Sequence, residues 1–407
     1  MIMVSAGDTA WLLTSAALVL IMTPALGLFY GGMVRRKNVA ATVMQCFIIV
    51  AVISVQWVLW GYSLAFGPDK GGFIGSLAWV GLRNVGLAPN PAYAATVPAE
   101  AHMIFQAMFA IITPALIIGA FAERVNFKAF LIFVVLWATI VYDPLAHWVW
   151  GVGGWLHERG ALDFAGGTVV HISSGVAALA AATVFGKRLG FGKEPMEAGN
   201  VTYIVLGAAL LWFGWFGFNA GSALTSGAQA TSAFVVTNTA AAMAALTWMT
   251  MSWVFGGRPS IIGAASGAVV GLVAITPASG FVTPMAAIII GLGAGIFCYL
   301  AVRLRNRTKL DDSLDVWACH GVGGTWGAIA TGLFATAAIG GANGLFHGHP
   351  GQVVIQLEAV AASWAWSFGL TFILLKVIDK FIHLRVTEAE ERTGLDIAQH
   401  GERAYET

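Results

Sequence analysis

Charge is what this sequence has least of: only 10% of its 407 residues are Asp, Glu, Lys or Arg, against about 25% in an ordinary soluble domain. A water-soluble globule of this size is thereby excluded. Neither sign is in excess, since 21 Lys and Arg stand against 20 Asp and Glu, and without a basic surface there is no footprint for nucleic acid. Cysteine is scarce too. Cys46, Cys298 and Cys319 sit in apolar stretches at spacings that suit neither a zinc site nor a disulfide framework, and they read as small core residues. The opening MIMVSAGDTAWLL holds no Lys or Arg ahead of the first apolar run. The charged front of a secretory leader is missing, so that run is expected to be retained as a helix.

What is abundant points one way. Hydrophobic residues make up 58% of the chain, with 50 Gly and 16 Trp, the composition of helices packed closely in lipid with aromatic side chains at interfaces. The apolar runs are continuous rather than alternating, which rules out a β-barrel. A ruler of about 20 apolar residues per crossing marks eleven spans, at 9–32, 39–66, 99–121, 128–149, 166–185, 200–220, 229–255, 260–276, 282–303, 316–338 and 352–378. The expected fold is an all-α polytopic membrane protein, with a transmembrane domain over 1–380 and a polar tail over 381–407. When loops are assigned to alternate sides, all the Lys and Arg residues but Lys70, Arg83 and Arg159 fall on one side. By the positive-inside rule the N-terminus is outside and the C-terminus cytoplasmic, in a cell membrane.

Ten of the spans divide into two sets of five, because a short acidic segment precedes a His-bearing, Gly-rich helix twice: Asp163 to His171, then Asp315 to His320. Five is odd, so the second set would be inverted, with the last long helix standing apart. Inverted repeats place their working site near mid-membrane between the halves. His171 and His320 read as the two histidines well inside spans, where an ionisable group faces a cavity or a partner. Gly167 and Gly175 flank one imidazole, and Gly324 and Gly327 follow the other. Faces that small let two helices meet closely, so the rings either form a hydrogen-bonded pair or are buried separately on backbone carbonyls.

Aromatic stripes accompany them. Phe105 and Phe109 are i, i+4 neighbours, and Trp215, Phe218 and Ser222 share a face. Each stripe alone reads equally as packing, and Trp150 as an interface anchor. Gathered near the outer side, rings attract a cation through their quadrupole, by about 2 kcal/mol or more when desolvated. Asp163 is either an N-cap or a charge that makes an outer vestibule attractive to cations. Asp143 and Glu358 also fall within spans and are given no transport role.

These segments resemble the ammonium transporter (Amt/Mep/Rh) family over nearly the whole chain, in its Amt branch: LFYGGMVRRKN (28–38), FQAMF (105–109), GAFAERV (119–125), ALDFAGGTVVHI (161–172), WFGFNAGSA (215–223), DVWACHGVGG (315–324) and GLDIAQHGERAY (394–405). The resemblance implies a homotrimer of eleven-helix protomers, each with its own narrow pore, a transporter rather than an enzyme and without a cofactor. Trp150, Phe105 and Ser222 would form the outer cation site, with Trp148 as the alternative indole and Trp215 beside the path. Phe109 and Phe218 would be stacked rings closing the pore, His171 and His320 the twin histidines beneath, and Asp163 the acid that supports the vestibule. The tail motif implies packing on the cytoplasmic face and a signalling protein of the PII type as a partner there.

Ammonium and potassium are too alike in size and charge to be sorted by radius. Carrying a bare cation into a low-dielectric channel costs on the order of 20 kcal/mol; ammonium can instead shed a proton and cross as ammonia. Imidazole, with one donor and one acceptor nitrogen, suits that proton transfer. The same residues admit three rival readings: haem held between two histidines, an ammonium sensor acting through a separate partner, and a neutral gas channel of the Rh type.

Overall fold

A segment crossing lipid must satisfy every backbone N–H and C=O internally, and continuous apolar runs meet that condition as helices. The computed structural model describes residues 4–405. Among them, nine helices are long and apolar enough to cross a membrane. They are α1 (Ala6–Met33), α2 (Arg36–Phe66), α3 (Ala99–Phe121), α4 (127–150), α5 (Gly167–Phe185), α6 (Val201–Gly221), α7 (Ala228–Gly256), α9 (Pro284–Arg307) and α11 (Gly351–Phe381). Two less apolar or shorter ones, α8 (Ile261–Ile275) and α10 (317–334), complete the eleven. Polar residues set the starts: Asn126, Asn200, Ser260 and Thr283 each accept from a first-turn amide of the adjoining helix.

The helices pack as two equivalent sets. In the first, α3 lies against α1, α2 and α5; in the second, α8 lies against α6, α7 and α10. The sets join through α1 along α6 and α5 along α10, as a two-fold relation between halves requires. Both His-bearing helices, moreover, open in a wide π-type turn, Gly167–Ile172 in α5 and Trp317–Val322 in α10. Similar turns interrupt α2 at Trp57–Gly61 and α4 at Ala138–Tyr142. Such turns carry an extra residue and cluster at functional positions. The α11 helix stands outside the repeat and covers α4, α5 and α10.

The connections differ between the two faces. At the N-terminal face, residues 69–98 form two small antiparallel hairpins between α2 and α3. At the opposite, basic face, Glu123 is buried between Arg35 (2.7 Å) and Arg188 (3.2 Å), and Arg188 also holds Asp311 (2.9 Å). Burial opposes the Glu123 carboxylate, yet the two guanidiniums hold it below the usual carboxylate range. The chain after α11 docks on this face. Asp396 accepts from the Ala41 amide (2.8 Å), the Leu395 amide donates to Asn38 (2.8 Å), and Tyr405 meets Asn200 (3.1 Å).

Candidate functional site

At the N-terminal face the end of α4, the first half of α3 and the end of α6 bring their aromatic residues together. The Trp150 indole donates to the Asp163 carbonyl (2.9 Å), and its ring centroid is 5.9 Å from that of Phe109. Phe105 stacks edge-on against Phe109 at 5.0 Å and lies against Gly221, where a Cβ would collide with its ring. Ser222 ends α6 next to that contact. Its hydroxyl donates to the Phe218 carbonyl (2.9 Å), which leaves its lone pairs free to accept. Trp148 lies elsewhere, packed among Phe73, Trp155 and Trp366 with its indole on the Phe73 carbonyl (2.7 Å). Of the two tryptophans, Trp150 is the one that joins the phenylalanines.

Beneath this cluster the rings of Phe109 and Phe218 lie 4.3 Å apart, both fully buried. They separate it from a cavity of about 10 Å³ walled by His171, His320, Trp215 and apolar side chains including Ile112, Leu116 and Val170, room for about one water-sized particle. His320, Phe29 and Val269 line both this cavity and a larger one of about 220 Å³ toward the basic face, where Tyr30, Ser260 and Asp315 appear. From the N-terminal face toward the basic face there follow an aromatic cluster, two packed rings, a narrow apolar chamber and a wider, mostly apolar cavity with a few polar residues.

The two imidazoles meet Nδ1 to Nδ1 at 3.3 Å, with ring centroids 5.4 Å apart. One nitrogen donates and the other accepts, so the tautomer of each ring fixes that of the other. The His171 Nε2 has no hydrogen-bond partner. Trp215 stacks on His171 at 5.4 Å and is itself fixed by its indole on Thr276 (2.9 Å). The nitrogens are too close for an iron between them, which removes the haem reading. Glycine permits the approach: a Cβ on Gly175 would strike the Gly321 backbone, and one on Gly324 would fall 3.0 Å from the His171 Cβ. A Cβ on Gly167 would instead meet Pro277, although its carbonyl lies 3.0 Å from where a Gly324 Cβ would stand, and one on Gly327 would meet the Ala274 backbone.

Asp163 caps α5. One oxygen accepts from the amides of Gly166 (2.7 Å) and Gly167 (2.6 Å), the other from the Thr168 amide (2.7 Å) and, closely, the Thr168 hydroxyl. Gly166, at φ +113°, makes the turn that points those amides at the carboxylate. Asp143 is buried with one oxygen on the Gln56 amide (2.9 Å), and Glu358 pairs with Arg159 (2.7 Å) where both are partly exposed.

Sequence reasoning missed three things here. His171 and His320 are not the only histidines enclosed by the helices, since His102 in α3 and His147 in α4 are buried as well. Thr276 and Thr168, which fix Trp215 and Asp163, carry no local signal. Phe29, common to both chambers, reads as one more apolar residue of α1.

The chain is similar to known proteins over nearly its whole length. Residues 10–405 match the model of the Ammonium Transporter Family. The chain is 52% identical to an ammonium transporter of Bacillus subtilis (strain 168) over 404 residues, 98% of each chain. Its fold matches the crystal structure of Saccharomyces cerevisiae Mep2 with a TM-score of 0.91 at 39% identity, over 99% of this chain and 92% of that one. A solved sensor Amt protein is similar at a TM-score of 0.90 and 31% identity, over 97% and 98%. The chain belongs to the ammonium transporter family.

Proposed function

We propose that this protein takes up ammonium by recruiting the cation among Trp150, Phe105 and Ser222, deprotonating it near His171 and passing ammonia along the apolar chamber. The observation that carries this reading is the chamber itself, about 10 Å³ closed above by Phe109 and Phe218 and polar only at its two histidines. A bare cation there would face a desolvation cost on the order of 20 kcal/mol with only π-faces and two imidazoles to offset it. Ammonia crosses without that cost. The released proton goes to the bare nitrogen of a neutral imidazole, and the shared Nδ1 contact offers it the second ring. Asp163 supports the recruitment site through its carbonyl, which holds the Trp150 indole.

In this reading the protein sits in the cell membrane with its N-terminus outside. Support comes from the gathering of Arg35, Arg124, Arg188 and Arg305 on the face opposite the aromatic cluster. It works as a homotrimer with one path per protomer. The residues after 380 form a cytoplasmic tail against the basic face, where a PII-type protein docks.

Proteoliposomes on a solid-supported membrane, given ammonium and then potassium jumps with uptake measured in parallel, test the central step. The wild type should take up ammonium and give no potassium current, whereas His171→Asp combined with His320→Glu should admit potassium. Full selectivity in the double variant would refute the role of the histidines.

A further inference from the structure

One polar cluster at the N-terminal face lies outside the transport path. His147 stands three residues before Trp150 in the last turns of α4 and is fully buried. Its Nδ1 is 2.9 Å from the Ala65 carbonyl oxygen and its Nε2 is 2.9 Å from Asp69 Oδ1. Carbonyl and carboxylate oxygens only accept. A neutral imidazole has a single N–H, so it serves one of the two and turns a bare lone pair on the other; the imidazolium donates to both. Both partners are rich in negative charge. Ala65 belongs to the last turn of α2, whose terminal carbonyls form the negative end of the helix, and Asp69 is the carboxylate of a surface hairpin. The hydrogen bond from His147 holds Asp69 below the usual carboxylate range.

What the pair holds is the frame around Trp150. Asp69 lies against Gly153, where a Cβ would come within 2.8 Å of it, and the Trp155 amide donates to the Gly72 carbonyl of the same hairpin (3.0 Å). The Gly151 amide returns to the His147 carbonyl (2.9 Å). Tyr93 adds a neutral tie, donating to the Phe66 carbonyl (2.7 Å) and accepting from the Val152 amide (3.1 Å). Other titratable groups nearby are Lys70, exposed beside Asp69, Asp143 one turn earlier in α4, which is occupied by Gln56, and His102 of α3, whose ring stacks on Tyr93 at 5.2 Å.

We infer that the His147–Asp69 contact positions Trp150 and thereby sets how tightly the cation is recruited. With both ring nitrogens of His147 engaged, the end of α2, the 69–75 hairpin and the 151–155 turn are locked together around the indole. Removing either partner breaks one of these contacts and loosens the frame. The inference rests on the recruitment reading above. His147 touches no transported species; it acts through Trp150.

Initial uptake in proteoliposomes, plotted against the concentration of the ammonium cation at one fixed pH, tests it. Asp69→Ala and His147→Phe should raise KM roughly three- to tenfold, the size of coupling expected within one hydrogen-bonded network, with kcat nearly constant. In a Trp150→Ala background, itself raised in KM, Asp69→Ala should add nothing. A wild-type KM in Asp69→Ala, or an effect that adds in full to that of Trp150→Ala, would overturn the inference and leave the recruitment reading standing. Wild-type KM in Trp150→Ala alone would overturn both.

Discussion

Replacing Asp163 by alanine takes one acceptor away from five donors at once. The amides of Gly166, Gly167 and Thr168, at 2.6 to 2.7 Å, the Val169 amide at 3.4 Å and the Thr168 hydroxyl all end on its carboxylate, in a residue only 7% exposed. A buried donor left without a partner costs about 1–3 kcal/mol, so the three closest amides alone sum to about 3–9 kcal/mol. Water reaching the gap from the neighbouring face lowers that sum, and single caps cost about 0.5–2 kcal/mol when removed. We expect a loss of about 3–5 kcal/mol for Asp163→Ala, large for a single substitution. Asp163→Asn should lose about half as much, because its oxygen can retain Gly166 and Gly167 while its NH₂ group meets the Thr168 donors. Reversible unfolding in graded SDS, followed by circular dichroism beside ammonium uptake, reads both effects. If Asp163→Ala stayed within about 1 kcal/mol of the wild type yet lost transport, the cap argument would fail and the carboxylate would have to act as a vestibule charge.

The packing leads to two further outcomes. Gly175→Ala places a Cβ in the Gly321 backbone, so α5 and α10 must part and the His171–His320 contact must open; SDS unfolding should show a loss of about 1–3 kcal/mol and uptake should collapse, whereas wild-type uptake would show that the close approach is dispensable. In the tail, burial against Phe127 (ring centroids 4.9 Å) holds the His400 imidazole below its ordinary value, although Asp396 and Glu402 favour the charge. The docked tail therefore binds fewer protons than the released one, so docking is strongest above about pH 6.5 and weakens as pH falls below it. Amide exchange in residues 388–400, corrected for intrinsic rates, should quicken on acidification in the wild type and not in His400→Phe; equal responses would refute the assignment to His400.

The eleven crossings are legible in the sequence because lipid leaves the backbone one economical choice, and polar residues such as Asn126 and Thr283 mark where it begins. Hydropathy responds to composition, however, and composition does not show where a turn widens. The π-type turns at Gly167–Ile172 and Trp317–Val322 each rotate the downstream residues by about 100° around the helix. Spacing arguments therefore work on either side of such a turn and fail across it. Phe105 and Phe109, on an uninterrupted stretch of α3, meet as i, i+4 neighbours should. Gly167 and Gly175, separated by a wide turn, point in different directions, the first at Pro277 and the second at the Gly321 backbone. Buried histidines pose the same difficulty: a hydropathy count treats His147 and His171 alike, although one has both nitrogens engaged by acceptors and the other has a free nitrogen among apolar walls. That difference separates a residue that fixes a frame from one able to receive a proton, and it depends on Ala65, Asp69 and His320, residues distant in the chain. Phe109 and Phe218 make the point from the apolar side. As sequence they are core packing; only the chamber on one face of the pair and the Trp150 cluster on the other set them apart as the partition between the two.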